Sequence, residues 1–340
     1  MQGRTLAWVA DFLRRRSQRV VVEGTSSDSS QVLSGVPQGS VLGPILFLAY
    51  INDLPSYVSS PVRLFADDTI MYRPIKNNDD VKTLQQDLEN LDKWGNIWQM
   101  EFHPSKCEVM RVCKSRNKKL PTPSYLLQNH RLEVVNHIKY LGTTIFQDLN
   151  WSKHINNISA KANQKLGFLR RNLRISCPKF KAIAYKSLIR SQLEFCANVW
   201  CPQHQGNIHR IEMVQRRAAR WALNRHHNTS SVSDMIGTLE WSTLEDRRER
   251  MKLIMMYKMV NGLVATNPNN YLTPVTRPTR HSHPYSFITP SCRTDQFKFS
   301  FFPSASIAWN GLSAEAVSSP TLETFRAGLG KPEFSRFKPT

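Results

Sequence analysis

The sequence has no run of about 18 apolar residues, and its longest apolar stretch, at 44–51, is too short to cross a bilayer, which excludes a membrane-spanning helix. Cysteine is scarce. The six residues (107, 113, 177, 196, 201 and 292) show no framework spacing, which excludes a disulfide scaffold and leads us to expect reduced thiols in an intracellular, nuclear or cytoplasmic protein. The order of a secretory signal is also absent, because apolar residues at the start precede the Arg cluster instead of following it. Acidic residues are few. Against 26 Asp and Glu stand 46 Lys and Arg, a net charge of +20 that implies a polyanionic partner, either nucleic acid or an anionic surface.

With 340 residues, 40% of them hydrophobic, the chain can build two or more domains with cores. The positive excess is uneven. Residues 151–260 hold 20 Lys and Arg against 7 Asp and Glu, whereas 1–150 hold 18 against 15 and 261–340 hold 8 against 4.

Hydrophobic periodicity divides the chain in the same way. The pattern predicts a short helix over 6–16, two strands at 18–24 and 31–35, and a helix continuing from ILFLAYINDL after the loop GVPQGS, with Ser40 as cap and Pro44 in the first turn. VRLFA and TIMYR read as a hairpin around Asp67 and Asp68. Asn78, Asp79 and Asp80 cap an amphipathic helix of about 20 residues carrying Val81, Leu84, Leu88, Leu91 and Trp98 on one face. Strands follow at 106–112, 132–135 and 138–145, around a Lys-rich, Pro-containing loop at 114–123. From 150 onward the spacing becomes helical, over 152–172, 178–196, 207–224, 230–237 and 241–262, each with a basic outer face. The fold class expected is α+β, an α+β part giving way to a helical part and, from 263, to a loop-rich tail with an apolar docking segment at 297–312.

Two adjacent carboxylates in apolar surroundings repel each other and resist desolvation unless a cation neutralises them. Their hard oxygens suit magnesium or manganese, ions usually shared with substrate phosphates. A solvated turn would use the same residues, since Asp is a common turn former. What distinguishes the readings is the order GVPQGSVLGPILFLAYINDLP, RLFADDTIMY, SKCEVM and KYLGTTI, followed by QRRAARWALN and FFPSASIAWNGL. In that order and spacing the chain resembles the C-terminal part of the reverse transcriptase of non-LTR retrotransposons, LINE-type elements of the Jockey, CR1 and RTE sort.

The resemblance implies a partial right-hand polymerase palm over 1–149, a helical, basic thumb-like domain over 150–262, and the tail over 263–340. It implies RNA-directed DNA polymerase chemistry, with Asp67 and Asp68 as the catalytic and metal-binding acids of a two-metal displacement using Mg2+ or Mn2+. Gln38 and Gly39 would lie beside the incoming nucleotide and template, with Phe65 under the nucleotide or primer end and Lys106 near the triphosphate. Tyr140, Leu141 and Gly142 would form the primer grip. Lys161, Lys165, Arg170, Arg171, Arg216, Arg217 and Arg220 would follow the phosphates of an RNA template and DNA primer. The partners implied are that template, that primer and dNTPs.

The family's further catalytic aspartate has no counterpart in this sequence, because Asp11, the one acid before residue 23, falls in a helical pattern. The expectation is therefore a polymerase by resemblance that is inactive as an isolated fragment. Two alternatives stand beside it, a non-catalytic nucleic-acid-binding remnant of a retrotransposon and a group II intron maturase or telomerase-type palm. Cys196, Cys201, His204 and His209 invite a zinc reading, but their spacing is not that of a finger or knuckle and they are not taken as a site. Trp200 and Trp221 are expected to pack between helices rather than stack on bases.

Overall fold

A computed structural model of the protein describes residues 2–113, 123–227, 229–276 and 283–329. These fall in two compact units, the first within 1–111 and 118–135, the second within 112–117 and 136–340. Most of the expected 114–123 loop, and 277–282 of the tail, lie outside the described residues.

The first unit opens with α1 (Arg4–Leu13), which ends earlier than the periodicity predicts because Arg16 enters strand β1 (Arg16–Gln18). β1 pairs antiparallel with β4 (Ser30–Val32), and β2 (Val21–Val22) with β3 (Thr25–Ser26), so the two strands expected here become two short ladders. Helix α2 (Leu42–Ile51) is apolar all round but buries only Gly43 and Ile51. Ser40 Oγ accepts from Gly43 N at 3.0 Å and donates to Pro37 O at 2.7 Å, which ties the preceding loop to the first turn.

β5 (Val62–Phe65) and β6 (Asp68–Met71) form the expected hairpin. Val62 faces the core with Leu64 and Met71, while Phe65, Asp68 and Thr69 near the tip are exposed, so these strands are half-buried. Helix α3 (Asn78–Trp98) begins with a capping box, Asn77 Oδ1 accepting from Asp80 N and Asp80 Oδ2 from Asn77 N. Leu91 and Trp94 are its core anchors. Trp94 is fully buried with Nε1 donating to Asp53 Oδ1 at 3.0 Å, whereas Trp98, expected on that face, is more than a third exposed. β7 (Glu108–Met110) pairs parallel with β10 (Glu133–Val135), and β8 (Leu126–Leu127) with β9 (His130–Arg131) is a small hairpin against α3.

Asp87 on α3 is buried and accepts from Ser59 N at 2.8 Å and Ser60 N at 2.9 Å, with the Ser59 hydroxyl also donating. Burial pushes its pKa up, but the hydrogen bonds from Ser60 and Ser59 outweigh burial and hold it below the ordinary carboxylate value. A carboxyl whose pKa is depressed by folding stabilises the fold above its unfolded pKa and loses that contribution as pH falls through the folded one. Asp87→Asn is expected to cost about 2–3 kcal/mol near neutral pH. Urea unfolding should show that difference narrowing below about pH 4.

The second unit starts with a hairpin, β11 (His137–Tyr140) and β12 (Thr143–Phe146). Its two-residue turn, Leu141 at φ 44° and Gly142 at φ 80°, has the left-handed pair that fits strand twist. Helices α4 (Ser152–Asn172), α5 (Pro178–Tyr185), α6 (Ser191–Glu194), α7 (Ala197–Trp200), α8 (Gln205–Leu223), α9 (Val232–Thr238) and α10 (Leu244–Val260) follow. The expected 178–196 helix is present but carries a π-turn at Lys186–Arg190. One core joins α4 through the start of α10, with Ile155, Tyr185, Trp200, Ile211 and Leu244 fully buried. The Tyr185 ring stacks on Trp241 at 4.5 Å, and its hydroxyl donates to Gln215 Oε1 at 3.0 Å. Burial drives that phenol's pKa far upward, so it remains a neutral donor.

A second core joins α10 to the tail. β13 (Thr273–Pro274) pairs with β14 (Phe287–Ile288), and α11 (Asp295–Lys298), α12 (Phe301–Asn310), α13 (Ala314–Val317) and α14 (Leu322–Gly328) follow. Trp309 and Phe325 are fully buried, and Tyr257 of α10 stacks on Phe325 at 4.5 Å. The mixture of helices and small sheets is α+β.

Candidate functional site

The β5–β6 hairpin places the acidic pair at its tip. Phe65 pairs with Asp68 across a turn formed by Ala66 and Asp67, and Ala66 takes φ 50° to close it. Asp67 and Asp68 are both solvent-exposed, and Phe65 is 60% exposed, an unusual position for a large aromatic ring. The buried strand side chains fix the hairpin while its tip offers carboxylate oxygens and an aromatic face to a ligand.

The same unit holds Gln38, Gly39 and Lys106, all exposed. Gly39 takes φ 82°, and a Cβ there would meet nothing within 4 Å, so its backbone is open to close approach. Lys106 ends a 3-10 turn (Pro104–Lys106) ahead of β7 instead of lying on the strand. Among the described residues no ion pair ties it to an acid.

In the second unit Tyr140 is half-buried at the end of β11, and Leu141 and Gly142 form the turn. Lys161, Lys165, Arg170 and Arg171 of α4 are exposed. On α8, Arg217 is exposed and donates to Asn163 Oδ1 at 3.2 Å, while Arg216 and Arg220 are half-buried. Several acids of this region are engaged internally. Glu194 takes both Arg247 and Arg190, Glu249 takes Lys252, and Glu212 accepts from Glu245 N at 2.9 Å. The outer cations of α4 are thus left without carboxylate partners among the described residues.

The donor chemistry of Asp67 and Asp68 fits a hard divalent cation. Among the described residues no His, Cys, Asp or Glu joins them to make a group of three. The same search finds no cluster at Cys196, Cys201, His204 and His209. All six cysteines are free thiols. Trp200 and Trp221 are core residues, 0% and 5% exposed. No helix among the described residues is long and apolar enough to cross a membrane.

Sequence reasoning passed over His154, Gln192 and Phe195, which meet beside the Gly142 turn. A Cβ on Gly142 would lie 3.1 Å from the Phe195 ring. No local motif marks them, because their proximity depends on how α4 and α6 pack.

Residues 1–145 match the family described as "Reverse transcriptase (RNA-dependent DNA polymerase)". The chain is 28% identical over 260 residues to the "Probable RNA-directed DNA polymerase from transposon X-element" of Drosophila melanogaster, covering 70% of this chain and 28% of the relative. It is 26% identical over 227 residues to the "RNA-directed DNA polymerase from mobile element jockey" of the same species, 62% of this chain and 24% of the relative. A third similarity, 22% over 243 residues, is to the "Retrovirus-related Pol polyprotein from type-1 retrotransposable element R1 2" of Nasonia vitripennis, 67% of this chain and 58% of the relative. The chain spans about a quarter of the length of the first two relatives. The FADD hairpin and the exposed Gly39 loop both lie inside the matched segment, so the candidate site falls in the part of the chain that is similar to reverse transcriptases.

Proposed function

We propose that the chain is the palm and thumb part of an RNA-directed DNA polymerase that copies retrotransposon RNA into DNA. The observation that carries this reading is the tip of the β5–β6 hairpin, where two exposed carboxylates and an exposed Phe65 stand on a strand pair anchored in the core of the segment similar to reverse transcriptases.

In this reading Asp67 and Asp68 hold magnesium or manganese. When bound, the ion supplies activation of the primer 3′ hydroxyl and stabilisation of the leaving pyrophosphate. Phe65 supports the nucleotide or primer end, the open backbone at Gly39 and the side chain of Gln38 lie beside the nucleotide and template, and the ammonium of Lys106 faces the triphosphate. Tyr140, Leu141 and Gly142 hold the primer strand. Lys161, Lys165, Arg170, Arg171, Arg216, Arg217 and Arg220 follow the phosphates of the RNA–DNA duplex, a role supported by the engagement of nearby acids elsewhere. The palm covers 1–149, the thumb 150–262 and the tail 263–340. The protein works in the nucleus or cytoplasm, where its free thiols stay reduced.

The test is primer extension on an RNA template with magnesium or manganese, run beside binding to an RNA–DNA duplex over a range of salt. Extension together with affinity that falls steeply with salt supports the reading. Salt-dependent binding without extension would leave a nucleic-acid-binding protein, and the absence of both would end it.

A further inference from the structure

Beside the primer-grip turn, the second unit forms a half-open pocket of about 360 Å³. That is near the small end of the range of ligand pockets, roughly 300–1,000 Å³. Its walls combine four kinds of chemistry. The Phe195 side chain is 55% exposed and backs onto Gly142. Gln192 Oε1 is buried without a hydrogen-bond partner. Lys161 brings an ammonium that makes no ion pair among the described residues. Ser191 already donates its proton to Ser187 O at 2.6 Å, so toward the pocket it can only accept.

His154 is buried, and its Nδ1 accepts from Thr144 N at 3.3 Å. Burial, with Lys161 nearby, lowers its pKa, so the imidazole adds no second positive charge near neutrality.

A buried acceptor left unpaired costs on the order of 1–3 kcal/mol, so Gln192 calls for an N–H or O–H donor in the pocket. A lone anion would find only one cation and an unsuitable amide oxygen. A metal would find no carboxylate, and a purely apolar ligand would leave Gln192 unsatisfied. A planar group carrying N–H donors with a phosphate attached satisfies every wall at once. We propose that this pocket holds one unstacked nucleobase of the bound strand, its ring against Phe195, an N–H donating to Gln192 Oε1 and its phosphate at Lys161. The proposal rests on the reading of the helical half as a nucleic-acid surface, and it adds a single-nucleotide site to what would otherwise be uniform contact with the backbone.

The experiment measures fluorescence anisotropy of the full chain with an RNA–DNA duplex bearing a short single-stranded end, whose nucleotides are made abasic one at a time. At one position the abasic nucleotide should weaken binding about tenfold, the scale of losing one stacked base, and the other positions should change it little. Gln192→Leu and Phe195→Ala should each weaken the intact duplex and erase the position effect, whereas Lys161→Ala should weaken binding and leave it in place. Phe195 is largely exposed, so its variant should fold with an unchanged urea midpoint. Salt-dependent binding with a flat abasic series, or a position effect that survives both Gln192→Leu and Phe195→Ala, overturns the pocket proposal alone. Loss of all salt-dependent binding by the wild type overturns the nucleic-acid reading beneath it.

Discussion

With an upstream polypeptide that supplies the family's further aspartate, Asn in place of Asp67 is expected to reduce RNA-templated primer extension by about a thousandfold, a loss of roughly 4 kcal/mol of transition-state stabilisation. The substitution keeps the shape and polarity of the side chain and removes one negative charge at the hairpin tip. Asp67 is exposed, and among the described residues its side chain makes no hydrogen bond or ion pair, so its contribution to the fold is small. The urea midpoint should therefore stay within about 0.5 kcal/mol of the wild type. That pairing is the discriminating feature. A residue that stabilised the turn would change the midpoint when replaced, and a metal-holding residue would change only the chemistry and the metal dependence. Asp68→Asn should behave in the same way, although Asp68 opens β6 and pairs with Phe65, so a small stability loss can accompany it. Extension that survives Asp67→Asn at the wild-type rate would remove the hairpin from the chemistry.

The part of this site that was legible in the sequence is the part governed by local rules. FADD lies between two strand patterns, and a two-residue turn leaves little freedom for where the acids go. The segment 138–145, by contrast, read as one strand, and the left-handed pair Leu141 and Gly142 instead folds it into the β11–β12 hairpin. Helix α4 was read with its observed bounds, since its apolar spacing is regular and Ser152 and Asn172 stand at clear pattern breaks. Helix α2 was legible as a helix but not in its orientation. A segment that is apolar on every face carries no periodic cue to the side that is buried, and the structure leaves Ile45 and Leu48 more than half exposed.

What escaped the sequence depends on contacts between distant residues. In α3 the anchor is Trp94, held by Asp53, and not Trp98, because the helix rotates to satisfy a partner 41 residues away. The tail read as loops and one apolar segment, yet Tyr257, Trp309 and Phe325 build a core with α10 across large separations in sequence. Short amphipathic pieces of this kind gain stability from packing, which a local window does not see. The Gly142 pocket escaped for the same reason.

The largest stability effect expected in the second unit comes from Trp200→Ala, at about 3–5 kcal/mol. Trp200 is completely buried at the end of α7, its ring lies 5.5 Å from His154 of α4, and its Nε1 donates to Phe195 O at 2.8 Å. Truncation would open a cavity in the core and leave the Phe195 carbonyl without its donor. Trp200→Phe keeps most of the apolar volume and loses the N–H, so it should cost less, about 1–3 kcal/mol. Against the roughly 5–15 kcal/mol that holds a typical domain, the Ala variant should lose much of its near-ultraviolet circular dichroism and the Phe variant should retain it. Both follow from urea unfolding compared with the wild type. A base-stacking tryptophan would give the opposite result, with a midpoint unchanged to within about 0.5 kcal/mol and a selective loss of nucleic-acid affinity. A flat unfolding response in Trp200→Ala would therefore place the ring outside the core and make it part of the binding surface.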